Sequence, residues 1–470
     1  MNFKILVFSL LIAAPVFSQV LIKNTNLIAV EAKKIWKGYD VLCIDGKIVY
    51  AGRGRMYKLP ANVQVIDGSG KYLMPGFVDA HVHFFQSGGL FARPDAIDLR
   101  KFHPYSAEIK WTHDHMEDIL RRYLAIGITT VIDVGSTYNF LKQRDSFAAK
   151  TYSPNIYMAG PLLTTWVPDE YKNLGNDAPF INMVSEENTR KIVRDQLSYH
   201  PDLIKIWYIV TDTNIERGAR DHLYLVKAAI DEAHKNNLRV AVHATERITA
   251  QLAAEAGADF LVHNIEDEEV SQYFISLLKM NKIVLCPTMT VDGNYDKVFT
   301  KTYSFSADEL AIAHPYQVQT ILDFPLPDTL LGRRVISYFS QKSFAGLLKK
   351  KEVIRRKNLK KMLAAGVAIA TGTDAGNIGT QHAGSYFEEL LAMQKAGASM
   401  WQLIQCSTIN GARAAGKESV SGSIAEGKQA DMLLLNANPL TKLSNWRNIL
   451  WVIKKGTPVK TGALVFDKPE

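Results

Sequence analysis

Cysteine is scarce: Cys43, Cys286 and Cys406 are the only three in 470 residues. A count this low and odd implies no disulfide framework, and Cys43 and Cys286 sit in apolar strand patterns that read as core. Long apolar runs are also missing, except at the start. There Lys4 precedes the run Ile5–Val16, and Phe17-Ser18 lead into Gln19. Residues 1–18 read as a signal peptide, so a periplasmic or secreted protein is expected. The run is short for a bilayer crossing, and no stable membrane insertion is expected once it is removed. Low-complexity tracts and repeats of solenoid length are absent. The net charge of +8 looks like a lead towards nucleic acid. Much of the excess, however, lies in Lys349–Lys351, Arg355–Lys357 and Lys360-Lys361, with Val353, Ile354, Leu359 and Leu363 between them. That is a solvated helix face, and no nucleic-acid partner is expected.

What is present is a change of rhythm. After the leader come short alternating strands: Val41–Ile44, the turn dipeptide Asp45-Gly46, then Ile48–Tyr50, and later Val63–Ile66. Asp-Gly supplies the positive φ of a tight hairpin. From Leu73 the pattern becomes apolar strand, helix, apolar strand, with strand candidates near 74–81, 128–134, 155–162, 203–209, 239–243, 259–264, 283–289 and 367–373. This periodicity predicts an α/β fold, a (β/α)8 TIM barrel over 74–421. Strands resume at Ala430–Leu435, Ile449–Ile453 and Ala463–Phe466. Residues 19–73 and 422–470 are therefore expected to form a small β-sandwich domain from both chain ends. The long stretch Asp292–Phe344 is expected to act as a lid or substrate-binding insertion.

Metal-ligand residue types close these apolar runs: His81 and His83, Lys205, His243, His263 and Asp374. Strand residues two apart share a face, so His81 and His83 can reach one ion. His113 and His115 have the same spacing but precede a helical pattern and are expected at the surface. Lys205 lies among Leu203, Ile204, Ile206 and Trp207, where burial disfavours an ammonium. A neutral amine there can capture carbon dioxide and become an anionic ligand. The combined nitrogen and oxygen donors suit zinc or a similar divalent ion. Tyr208, His382 and Trp166 each follow a barrel strand and are candidate substrate contacts.

The segments Pro75–His83, Gly372–Gly376 and Gly422–Asp431 resemble the amidohydrolase superfamily, in particular its imidazolonepropionase-like group with metal-dependent, prolidase-like dipeptidases. The resemblance implies two divalent metal ions: one on His81, His83 and Asp374, a second on His243 and His263, with carboxylated Lys205 bridging them. It further implies hydrolysis of an amide, cyclic amide or dipeptide by a metal-bridging hydroxide, with Asp374 as general base and then acid. One departure is the bulky run Ile206–Val210 after Lys205, where peptide-cleaving relatives often carry small residues. A lactonase or phosphoesterase on the same ions, a mononuclear deaminase and a non-catalytic metal-binding protein remain alternatives. A small molecule is the expected substrate, and homo-oligomerisation stays open.

Overall fold

A computed structural model describes residues 19–54, 58–323, 330–464 and 466; the expected signal peptide lies outside them. Both chain ends enter one eight-stranded sheet. Lys34–Ile44 and Lys47–Gly52 form the expected hairpin, turning at Asp45 (φ 50°) and Gly46 (φ 75°). Val20–Ala29 pairs with Lys34–Ile44 on one side and with Gln64–Asp67 and Tyr72–Pro75 on the other. Tyr72–Pro75 then joins the C-terminal strands Met432–Leu435, Ile449–Lys454 and Thr457–Val459. The last strand falls earlier than expected. The chain turns at Lys455-Gly456 and pairs at once, so Thr461–Ala463 is left as a single 3-10 turn and the strand expected over Ala463–Phe466 does not form where it is described.

The rest is α/β with parallel strands. The main ones are β1 (Phe77–Val82), β2 (Ile128–Asp133), β3 (Asn155–Met158), β4 (Leu203–Trp207), β5 (Arg239–His243), β6 (Phe260–Val262) and β7 (Val284–Cys286), and two short strands, Leu162–Thr164 and Phe180–Asn182, extend the edge at β4. β1 to β3 form one parallel sheet, and β4 to β7 belong to a second. Single parallel bridges link the two groups: Ala159 to Leu203, Leu285 to Ile369 and Val82 to Ala375. The eighth candidate, 367–373, is thus present as bridges rather than as a regular strand. Its backbone still bonds both neighbours, with Ala370 N donating to Leu285 O at 2.9 Å and Ala80 N to Thr371 O at 2.9 Å. Gly372 is needed there, since a Cβ would lie 2.5 Å from Cys286 Sγ and 2.7 Å from His81 N.

The strands are buried on both faces, as parallel strands under helices must be; every residue of β1 and β2 is buried. Several of the helices between them carry side-chain N-caps. Ser185 caps Glu186–Leu197 through Asn188 N, and Asn214 caps Ile215–Lys235 through Arg217 N. The long connection after β7 is largely helical where it is described, beginning with Val291–Phe299, and packs an apolar cluster that includes Val298, Phe299 and Ile321 against Leu90, Ile97 and Leu99.

Candidate metal centre

His81 lies inside β1 and His83 just beyond its end, and the chain returns at Asp374 to meet them. Asp374 has φ 62°, His263 φ 80° and Thr288 φ 40°. Left-handed backbone at three non-glycine residues is strain, and its concentration here marks a place where geometry overrides local preference. The ligand atoms converge closely. His81 Nε2 is 3.1 Å and His83 Nε2 3.3 Å from Asp374 Oδ1, and the two Nε2 atoms are 3.2 Å apart. Ligands held at about 2.0–2.1 Å around one tetrahedral ion would be about 3.3–3.4 Å from each other.

The protons support the same reading. His83 Nδ1 is 2.7 Å from the Gly135 carbonyl, so it carries the hydrogen and leaves Nε2 as a bare lone pair. Asp374 Oδ1 is buried without a hydrogen-bond donor, and His81 Nδ1 is also unpartnered. Acceptors facing one another in a buried site are the arrangement that a shared cation or proton relieves. His263 completes the group. Ligand atoms of His81, His263 and Asp374 all lie within 4.8 Å of one another, a site that could hold a metal ion. The His263 ring sits 4.3 Å from that of His243, and its Nδ1 is 2.7 Å from Thr288 Oγ1.

Burial sets the charge states. It pushes His81 down to about 4 and His243 and His263 well below the usual imidazole range. It would raise Asp374, but the adjoining His81 and His83 outweigh it and hold the carboxyl well below its ordinary value. At neutral pH His81, His243 and His263 are therefore neutral imidazoles beside the Asp374 carboxylate, the forms that bind metal. Lys205 is 1% exposed. Burial brings its amine down to about 7 despite the nearby Asp374, and no hydrogen bond or ion pair holds it among the described residues.

These groups face a cavity of about 290 Å³, lined by His83, Lys205, His243, His263 and Asp374, with His81 behind them. Aromatic walls come from Phe85, Phe180, Trp207 and Tyr295, and charged ones from Arg93, Glu266, Asp292 and Arg355. Sequence reasoning passed over the carboxylates that hold the ligands. Asp79 accepts from Thr373 N at 3.0 Å and Thr373 Oγ1 at 2.8 Å, fixing the turn that presents Asp374. Asp133 accepts from Phe84 N and Gly135 N, on either side of the His83 contacts. Burial pushes both up to about 7. Their signal was available: an acidic residue inside an apolar strand, with Asp79 two before His81 and so on its face.

The expected substrate contacts lie elsewhere. Tyr208 is fully buried with its hydroxyl donated to the Ala219 carbonyl. Side chains alternate along a strand, so Lys205 and Trp207 face the cavity while Tyr208 faces the helix layer. His382 is buried against Phe84, bonded to Tyr123 Oη and the Gln86 carbonyl. Trp166 is 45% exposed beside Trp207. None of the three lines the cavity. His113 and His115 are half-buried rather than at the surface: His113 lies on Phe140 and bonds Asp177, and His115 stacks on Trp111.

Residues 72–459 match the amidohydrolase family. The chain is 24% identical over 460 residues to an imidazolonepropionase of Shouchella clausii, covering 90% of this chain and 86% of that one. Among solved structures, a Xaa-Pro dipeptidase with bound methionine superposes with a TM-score of 0.68 at 22% identity, covering 94% of this chain and all of the other. Aspergillus niger ochratoxinase does so with 0.70 at 18% identity, covering 94% and 96%.

Proposed function

This chain belongs to the amidohydrolase family, and from that membership we propose that it is an exported hydrolase of an amide, cyclic-amide or dipeptide bond working with two divalent ions. The coarser activity, hydrolysis of carbon–nitrogen bonds, follows from the family and from relatives such as the imidazolonepropionase. The observation that carries the finer reading is the convergence of His81, His83 and Asp374 on one point, with His243, His263 and Lys205 opening on the same cavity. The scaffold is read as a closed eight-stranded barrel over 74–421, on the strength of the three bridges that link its strands. The sheet of residues 19–73 and 422–470 is read as a sandwich, supported by Ile48 N donating to Lys428 O across it.

His81, His83 and Asp374 would hold one ion and His243 and His263 a second, with Lys205, as its carbamate, between them; zinc fits this donor set. Such ions supply Lewis-acid polarisation of a carbonyl and a nucleophilic water at neutral pH. The chain's own residues supply the rest. Asp374, anionic and buried, takes the proton of the attacking water and returns it to the leaving nitrogen. Gly135, through its carbonyl, and Thr288 orient His83 and His263. Phe85, Phe180, Trp207 and Tyr295 wall the cavity and exclude bulk water. A hydrolysis screen of metal-loaded enzyme with dipeptides, N-acyl amino acids and lactones tests this. Turnover of an amide class above the lactones is expected; cleavage of lactones alone would overturn it.

A further inference from the structure

At the opposite ends of the same strands lies a second site with different chemistry. β5 runs from Arg239 to His243, so Arg239 sits about 13 Å from the metal ligands. A cavity of about 500 Å³ opens there, walled by Arg239, Lys279, Lys282 and Arg413 with Glu418 as its acid. A smaller one of about 240 Å³ shares Gly366, Ala368 and Arg413 with it and adds Lys33 from the turn between the first two strands of the N-terminal sheet.

Ion pairs such as Lys110 with Asp114 and Lys357 with Glu269 hold only some of the exposed cations of this molecule; what sets the present group apart is that five cations line two adjoining cavities. Lys33, Lys279, Lys282 and Arg413 have no carboxylate within 4 Å among the described residues; Arg413 donates only to the neutral Asn410. Arg239 pairs with the Asp259 carboxylate at 3.7 Å and donates to its backbone carbonyl at 3.3 Å, while its Nε is buried with no partner. Lys279 also lies in the last turn of Gln272–Met280, where a cation offsets the helix dipole. That accounts for one charge and not for five converging on two joined cavities. An unsatisfied buried guanidinium N–H is destabilising until an acceptor reaches it, and two guanidinium groups with three ammonium groups suit phosphate oxygens.

We propose that these joined cavities bind a small organic phosphate bearing two phosphate groups, one in each cavity, on the face of the barrel opposite the metal centre. The inference is independent of the hydrolytic reading. Titration calorimetry on the metal-loaded full chain, with fructose 1,6-bisphosphate and inorganic phosphate as probes, tests it. One bisphosphate per chain is expected, bound at least tenfold more tightly than phosphate. Lys282→Glu with Arg413→Glu should weaken it at least tenfold, and the milder Lys282→Gln with Arg413→Gln should do so in the same direction. Lys191→Glu, the same charge change on a remote helix, should alter it less than twofold. Affinity unchanged in the double variants would assign the phosphate to the metal centre, and an equal loss in Lys191→Glu would reduce it to general charge attraction. Either result, or equal affinity for the two probes, overturns the proposal.

Discussion

Lys205 is buried with its amine near 7 instead of 10.5, and the sign of the consequence can be worked out. Between about pH 7 and 10.5 the unfolded chain carries a proton there that the metal-free native chain does not. Stability must therefore rise with pH across that window, by about 5 kcal/mol at most. The melting temperature of metal-free protein should climb from pH 7 to 9, and in Lys205→Met this contribution should vanish; identical slopes in the two would show an ordinary, charged lysine. Asp79 is the second residue-scale test. Asp79→Asn keeps the shape but weakens the grip on Thr373, so metal affinity should fall 10–100-fold, measured by competition with a chelator, with the melting temperature of metal-free protein little changed. The candidate ligands were legible residue by residue because each interrupts or closes an apolar run. Tyr208 was misread because the residue after a strand was weighed without its parity: three positions from Lys205, it had to face away.

At the scale of elements, the insertion after β7 is where selectivity should reside. Its first helix puts Asp292 and Tyr295 in the cavity wall, where Tyr295 donates to Asn377 Oδ1 and Asp292 pairs with Arg355. Exchanging Asp292–Phe344 for a short linker should change the ratio of kcat/KM between substrates while leaving metal content intact; a constant ratio across the screen would remove the insertion from substrate selection. Strands β1 to β7 were readable as apolar runs of suitable length, whereas the short Phe180–Asn182 carries too little apolar signal to be read. The eighth was read as a strand although its pairing reduces to bridges: a run such as Val367–Thr373 shows its burial, but not the tight approach at Gly372 that interrupts regular pairing. The C-terminal strand was misplaced for a related reason, since Thr457–Val459 is short and half-buried and carries little apolar signal.

For the whole molecule, two statements from sequence concern its fate and its centre. The mature chain should begin near Gln19 and be found outside the cytoplasm; intact mass of protein from its native host reads this, and a soluble cytoplasmic pool retaining residues 1–18 would contradict it. That both chain ends share a sheet was legible from strand patterns at either end, whereas the order of strands within it depends on pairings that no local pattern specifies. The candidate ligands lie in or just after β1, β4, β5 and β6 and at the return at Asp374, so they can converge only once the parallel strands are in register. Lys205 lies between the two histidine pairs along the chain, and its proposed role is to bridge two ions. The most direct test is metal stoichiometry of wild type and Lys205→Ala, with turnover measured on the same samples. Two divalent ions per wild-type chain are predicted, with loss of metal and nearly all activity in Lys205→Ala and partial recovery of both on adding a short carboxylic acid. A Lys205→Ala protein that keeps two ions and normal turnover would contradict it.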